Sequence, residues 1–191
     1  MEIIENKSIP GVFEIRLVPC RDDRGFFMRV YDEDLFKKNG LHRHWVQENH
    51  SRSVKKGVIR GLHFQFPPFA ETKLIRCIRG VIYDVFVDLR KDSPSYGKWG
   101  SVELSDDKHN MVYIPHGFAH GYCTLTDESD VIYKVDSPYN PKAESGLLWN
   151  DRDLAVTWPV MQPLLSVKDA RNQTMKEFIR TYRYIDLKDQ S

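Results

Sequence analysis

The sequence predicts an all-β domain, a sandwich or barrel with only a few short helices. Short β-branched and aromatic runs separated by turn residues recur along most of the chain. One of them, residues 81–89 (VIYDVFVDL), alternates cleanly: Val81, Tyr83, Val85, Val87 and Leu89 form one face, with Asp84 and Asp88 on the other. Helical patterns between the runs are scarce, and no repeat or Gly/Ser-rich linker divides the 191 residues, a length that suits one core.

In chain order, strands are expected at 11–18 and 25–31. A short helix follows at 32–40, where Asp32 can cap, Glu33 and Asp34 begin the first turn, Lys37 and Lys38 end the last, and Gly40 can adopt a left-handed conformation. Further strands are expected at 44–50, 58–66, 73–79 and 81–89, with Arg79-Gly80 as a tight turn before the last of these. The series continues at 99–105, 111–114, 120–125 and 131–137. A second helix is expected from Ser166, because Ser166 and Asp169 have the spacing of a capping box. Residues 1–171 read as the domain. Residues 172–191 are polar with isolated Phe178, Ile179, Tyr182 and Tyr184, and fit either a terminal helix or a docking tail.

Composition narrows the partners. Lys and Arg number 28 against 27 Asp and Glu, so there is no global field to attract nucleic acid or a membrane surface. No segment reaches the roughly 18–20 apolar residues of a membrane span, and residues 1–10 lack the apolar stretch of a secretory signal. Cys20, Cys77 and Cys123 are odd in number and lack a CxxC pair, which fits reduced thiols in a cytoplasmic protein.

Two clusters could carry chemistry. The first is Arg60-Gly61-Leu62-His63-Phe64-Gln65. Strict alternation puts His63 with Ile59 and Gln65 and sends Arg60 to the opposite face. If both serve one site, a bulge near Gly61 must shift the register. The second is Pro115-His116-Gly117-Phe118-Ala119-His120, a turn followed by a strand; for it to join the first cluster, His120 must point into the same cavity as His63. A histidine in an aromatic strand is more often structural than functional, and each cluster alone leaves both readings open.

Gly57 ahead of His63, and Pro115-x-Gly117-x-x-His120 further on, resemble the two half-motifs of the cupin superfamily. Metal-binding cupins usually add a second His and a Glu just after the first His. Here Gln65 and Pro67-Pro68-Phe69 stand there, a poor ligand set, so no metal is expected. Within the cupins, the strings RGLHFQFPP, KLIRCIRGVIYDVFVDLRKDSPSYGKW, IPHGFAHGY, YKVDSPYNP, ESGLLWND and LLSVKDAR resemble the dTDP-4-dehydrorhamnose 3,5-epimerase family, from about residue 3 to about residue 171.

That resemblance implies a cupin-type antiparallel β-barrel or jelly roll, a homodimer with exchanged N-terminal strands, and a cytoplasmic enzyme acting on a nucleotide-linked 4-keto-6-deoxy sugar without any cofactor. It implies His63 as base, Asp169 as the acid holding its ring, Tyr133 as the proton donor on the other face, and Lys73 as the cation at the sugar C4 oxygen. It assigns substrate contacts to Arg24, Phe27, Arg29, Gln47, Asn49, Arg60, His120, Tyr139, Glu144 and Lys168. Seen singly, Asp169 reads as a helix cap, Tyr133 as one more strand aromatic and Lys73 as a solvated strand end.

Three positions depart from the family pattern. Arg29 stands where a Glu is usual, Glu71 where Gln is common and Glu48 where Asp is common. Arg29 exchanges an acceptor for a donor and reverses the charge, so it is expected to alter nucleotide or sugar preference while leaving the proton chemistry intact. The competing readings are an epimerase inverting C3 or C5 alone, a metal-dependent cupin enzyme, and a non-catalytic sugar-nucleotide binder.

Overall fold

The computed structural model describes residues 1–188. In chain order the strands begin with β1 (Glu2–Glu5), β2 (Phe13–Arg16), β3 (Cys20–Asp22) and β4 (Gly25–Phe27); then come helix α1 (Glu33–Lys38), β5 (Gln47–Ser53), β6 (Ile59–Gln65) and β7 (Lys73–Arg79). There follow β8 (Val81–Asp88), β9 (Trp99–Ser105), β10 (Asn110–Ile114), β11 (Phe118–Thr124), β12 (Ser129–Val135) and β13 (Glu144–Gly146). A 3-10 turn (Asp169–Arg171) and helix α2 (Met175–Thr181) complete the order.

Two antiparallel sheets face each other as a jelly-roll barrel. One has the order β1-β2-β10-β7-β12-β5 and the other β13-β6-β11-β8-β9, while β3 and β4 form a separate hairpin. The apolar alternation of the strands fills the space between the sheets. Ile75, Cys77, Val112 and Val131 point in from the first sheet, and Ile82, Phe86, Leu104 and Tyr122 from the second.

Each sheet is also covered on its outer face, which explains why so many strands are apolar on both sides. Helix α1 buries Phe36 against Ile15, Leu74, Met111 and Tyr113. On the opposite side, Leu62, Phe64, Val85 and Val87 are covered by Leu147, Trp158, Met175 and Phe178 from the C-terminal segment. Burial of large side chains such as Phe178, worth roughly 1.5–3 kcal/mol each, ties that segment to the barrel.

The strands expected at 73–79 and 99–105 coincide with β7 and β9. Helix α1 has the expected chemistry: the Asp32 side chain accepts from Leu35 N at 3.1 Å, and Gly40 beyond its end has φ +71°. The second helix is a correction. Ser166 Oγ does accept from Asp169 N at 3.0 Å, but it starts only the 3-10 turn, because Asn172 turns extended at ψ 155°. The α-helix begins at Thr174, where Thr174 and Glu177 form a reciprocal capping box. Of the terminal helix or docking tail expected at 172–191, residues 189–191 lie outside the described residues.

Candidate active site

The site is a cavity of about 280 Å³ in one mouth of the barrel, lined by residues from both sheets and from the C-terminal segment. Its geometry depends on a bulge in β6. Across the β6–β11 ladder, His63 faces His120 and Arg60 faces Tyr122, so three steps on β6 match two on β11. The extra residue falls at Gly61-Leu62, where the peptide bond is cis. Gly61 has φ +124°, and a Cβ there would lie 2.5 Å from Gly121 Cα, so only glycine fits. The bulge turns Arg60 and His63 both into the cavity, while Ile59, Leu62 and Phe64 pack on the outer side.

His63 Nε2 meets Asp169 Oδ1 at 2.5 Å, with Asp169 almost fully buried. Burial alone would raise the Asp169 carboxyl. Hydrogen bonding and charge from His63, then Ser166 and Lys168, outweigh it and hold the carboxyl below its ordinary value. The acid is therefore ionised beside the ring, and the remaining ring nitrogen is left for a substrate.

Tyr133 on β12 and Lys73 on β7 reach the same cavity from the opposite sheet. The Lys73 ammonium lies 5.5 Å from the centre of the Tyr133 ring. Burial first, then the charge of Glu71, pushes the Tyr133 phenol above its ordinary value, so it carries its proton at neutral pH. Glu71 itself pairs directly with Lys73.

His120 Nε2 bonds Asp84 Oδ2 at 2.9 Å, and Asp84 is fully buried. Its Oδ1 finds no hydrogen-bond partner among the described residues. Burial raises the Asp84 carboxyl, with His120 and Lys73 opposing the rise. Asp84 was not anticipated as a site residue. The available signal was an acid between Ile82 and Phe86, both of which face the barrel interior. Ser51, Tyr122 and Ser166, also unanticipated, complete the lining, with Ser51 Oγ and Tyr122 Oη 2.8 Å apart.

The anticipated residues fall into three groups. His63, Lys73, Tyr133, Asp169, Arg60, His120 and Lys168 line the cavity together. Gln47, Asn49, Tyr139 and Glu144 lie at its rim: Glu144 bonds Tyr139 Oη at 2.7 Å and Lys168 Nζ at 2.6 Å, Gln47 Oε1 accepts from Tyr139 N, and Asn49 is the ladder partner of Tyr133. Arg24, Phe27 and Arg29 do not join them. They belong to the exposed β3–β4 hairpin and the segment after it, with Arg24 paired to Asp22 and Arg29 to Asp32, the cap of α1. No group of three or more His, Cys, Asp or Glu side chains among the described residues is placed to hold a metal ion.

Residues 6–177 match the family model described as dTDP-4-dehydrorhamnose 3,5-epimerase. The chain belongs to this family. Over 174 residues it is 44% identical to the dTDP-4-dehydrorhamnose 3,5-epimerase of Shigella flexneri, covering 91% of this chain and 95% of that one. The crystal structure of the Bacillus anthracis enzyme, with TDP and PPi bound, has a TM-score of 0.88 at 45% identity, covering 91% of this chain and 99% of that one. A dTDP-6-deoxy-D-glucose-3,5-epimerase from Legionella pneumophila, in complex with dTDP-4-keto-L-rhamnose, has a TM-score of 0.86 at 36% identity, covering 92% and 93%. Family membership makes the chain an epimerase, and hence an isomerase, built on the cupin-type jelly roll.

Proposed function

We propose that the chain inverts C3 and C5 of dTDP-4-keto-6-deoxyglucose, giving the 4-keto-rhamnose product, with His63 as base and Tyr133 as acid. One observation carries the proposal: His63 comes from β6 in one sheet, Tyr133 from β12 in the other, and both open on one cavity. A base and an acid on facing walls suit inversion, which removes a proton from one side of a carbon and returns it on the other.

The C4 ketone makes the hydrogens on C3 and C5 acidic because the electron pair left behind delocalises as an enolate. His63 takes the proton, and the ionised Asp169 stabilises the imidazolium that forms. Lys73 stands where positive charge can meet the developing C4 oxyanion. Tyr133, held in its protonated form, donates to the opposite face; before the second centre reacts, His63 passes its proton to solvent and Tyr133 takes one from solvent. Arg60 and Lys168 supply the charge that suits a diphosphate, and Tyr139 at the rim offers an aromatic face for a base.

We further infer a homodimer in the cytoplasm. Among the described residues the β3–β4 hairpin pairs with no other strand, and it exposes Phe26 and Phe27, an apolar surface that a second copy would cover, bringing Arg24 and Arg29 into an interface. Three unpaired cysteines fit a reducing compartment.

The test is NMR of dTDP-4-keto-6-deoxyglucose incubated with the protein in D₂O, beside a His63→Ala control. Deuterium is expected at both C3 and C5 and is abolished in the control. Exchange at one centre would replace this reading by a mono-epimerase; none at either, with ligand bound, would leave a binding protein.

A further inference from the structure

Among the described residues, three carboxylates beside the cavity, apart from Asp84, are each engaged. Asp169 holds His63, Glu144 holds Lys168 and the Tyr139 hydroxyl, and Glu71 holds Lys73. The third pairing differs from the others in where it sits. Glu71 and Lys73 are two residues apart on the extended chain entering β7, and both side chains are nearly enclosed, with exposures of 13% and 10%. The ammonium so held lies over the Tyr133 ring.

The chemistry makes this placement consequential. Lys73 is the cation assigned above to the C4 oxygen, and Tyr133 the proton donor. A carboxylate beside both acts on each in a definite direction. Its hydrogen bond fixes where the ammonium points before substrate arrives. Its negative charge opposes ionisation of a phenol in a site otherwise rich in cations. Arg60 and His63 face the phenol from β6, His120 and Tyr122 from β11, and Lys73 from β7; Glu144, Lys168 and Asp169 close the rim.

Building on the epimerase reading, we propose that Glu71 is a positioning residue for the reaction, anchoring Lys73 beneath the C4 oxygen and securing the proton that Tyr133 delivers. Glu71 is not among the described residues that line the cavity. It acts through Lys73 by contact and on Tyr133 by charge, and burial of the pair keeps both effects from being screened by water.

Two substitutions separate the effects. In Glu71→Gln the amide oxygen still accepts from the ammonium but the charge is gone; in Glu71→Ala both are lost. The kcat for dTDP-4-keto-6-deoxyglucose at neutral pH is expected to fall roughly two- to threefold in Glu71→Gln and about tenfold in Glu71→Ala, with KM changing less. In both variants the alkaline limb of the kcat/KM profile moves to lower pH. The Tyr133 phenol moves with it, followed without substrate by NMR of ¹³C-labelled tyrosine and assigned with Tyr133→Phe.

A phenol titration and an alkaline limb that stay in place in both variants would overturn the proposal. So would a loss of kcat that is uniform across pH, which is what a purely structural role produces. If the wild-type protein fails to exchange the C3 and C5 hydrogens, the epimerase reading falls, while the substrate-free titration still decides whether Glu71 governs Tyr133.

Discussion

His63 and Asp169 lie 106 positions apart in the chain and meet at 2.5 Å, one on an inner barrel strand and the other at the start of the 3-10 turn that follows the strands. The contact joins the C-terminal segment to the barrel at the point where the base must be oriented. It also uses Asp169 twice, since its backbone N–H is held by Ser166 Oγ while its carboxylate holds the ring. Ser166 thus caps the turn that presents Asp169 to the ring.

Asp169→Asn is therefore expected to leave the fold in place and remove most of the activity. Asparagine keeps the size and the backbone bond to Ser166 but cannot stabilise an imidazolium by charge. A kcat loss of roughly 10²- to 10⁴-fold is expected, with KM for the nucleotide sugar changed far less. Steady-state kinetics and the melting temperature decide it. Activity within a few-fold of wild type would show that His63 needs no charged partner.

Gly61→Ala tests whether the bulge is what assembles the site. The substitution places a methyl 2.5 Å from Gly121 Cα and 2.7 Å from the His120 carbonyl, at φ +124°. Neither neighbour is a flexible side chain that could move aside. A loss of at least about 2 kcal/mol is expected, and any protein that still folds should lose activity because Arg60 and His63 no longer share a face. Urea denaturation reads the first and turnover the second.

Much of the barrel was legible because burial on both faces of a strand leaves a strong local signature. The runs 73–79 and 99–105, bounded by turn residues, coincide with their strands. The unanticipated strands β1, β3 and β13 are only three or four residues long, and their place is set by what they pair with rather than by their own apolar pattern. The second helix was misplaced because Ser166 and Thr174 both carry capping chemistry, and the chain turns extended at Asn172 after a single turn at the first. In the site, alternation along β8 separated Asp84 from Val85 but could not say which side is the barrel interior. The bulge at Gly61 was legible as a requirement, since Arg60 and His63 cannot otherwise share a face. The meeting of His63 with Asp169 was not, because no local pattern links residues so far apart.

Acid unfolding follows from carboxylates held below their ordinary values. Asp88 and Asp169 are buried and Asp136 partly so, which alone would raise them. Bonds from Arg90, Ser93 and Ser95 to the first, from His116 and Thr72 to the second, and from His63 to the third outweigh burial. A depressed folded value means that the stabilisation is present above the unfolded value, about 3.9 for Asp, and is lost as pH falls through the folded one. Urea midpoints should thus hold near neutrality and fall steeply below about pH 4. The Asp88→Asn variant should show a shallower fall than wild type.

Asp84 carries the opposite sign, which makes it the sharpest test of the inner wall. Its folded value is raised, so the folded state binds a proton more readily than the unfolded chain, and its contribution declines as pH climbs from the ordinary carboxylate value toward the folded one. Ionised, it is a fully buried charge with one oxygen bonded to His120 and the other without a partner among the described residues. Asp84→Asn removes the charge and keeps the shape. Relative to wild type, the variant should gain stability as pH rises above about 4, reaching on the order of 1 kcal/mol at neutral pH. Its turnover should fall about tenfold or more, because the His120 ring loses the carboxylate that orients it in the cavity. Paired melts at low and neutral pH, with kcat on the same preparations, separate the two effects. A variant less stable than wild type at neutral pH would mean that the His120–Asp84 pair stabilises the fold, and that the raised carboxyl is not the cost that its burial implies.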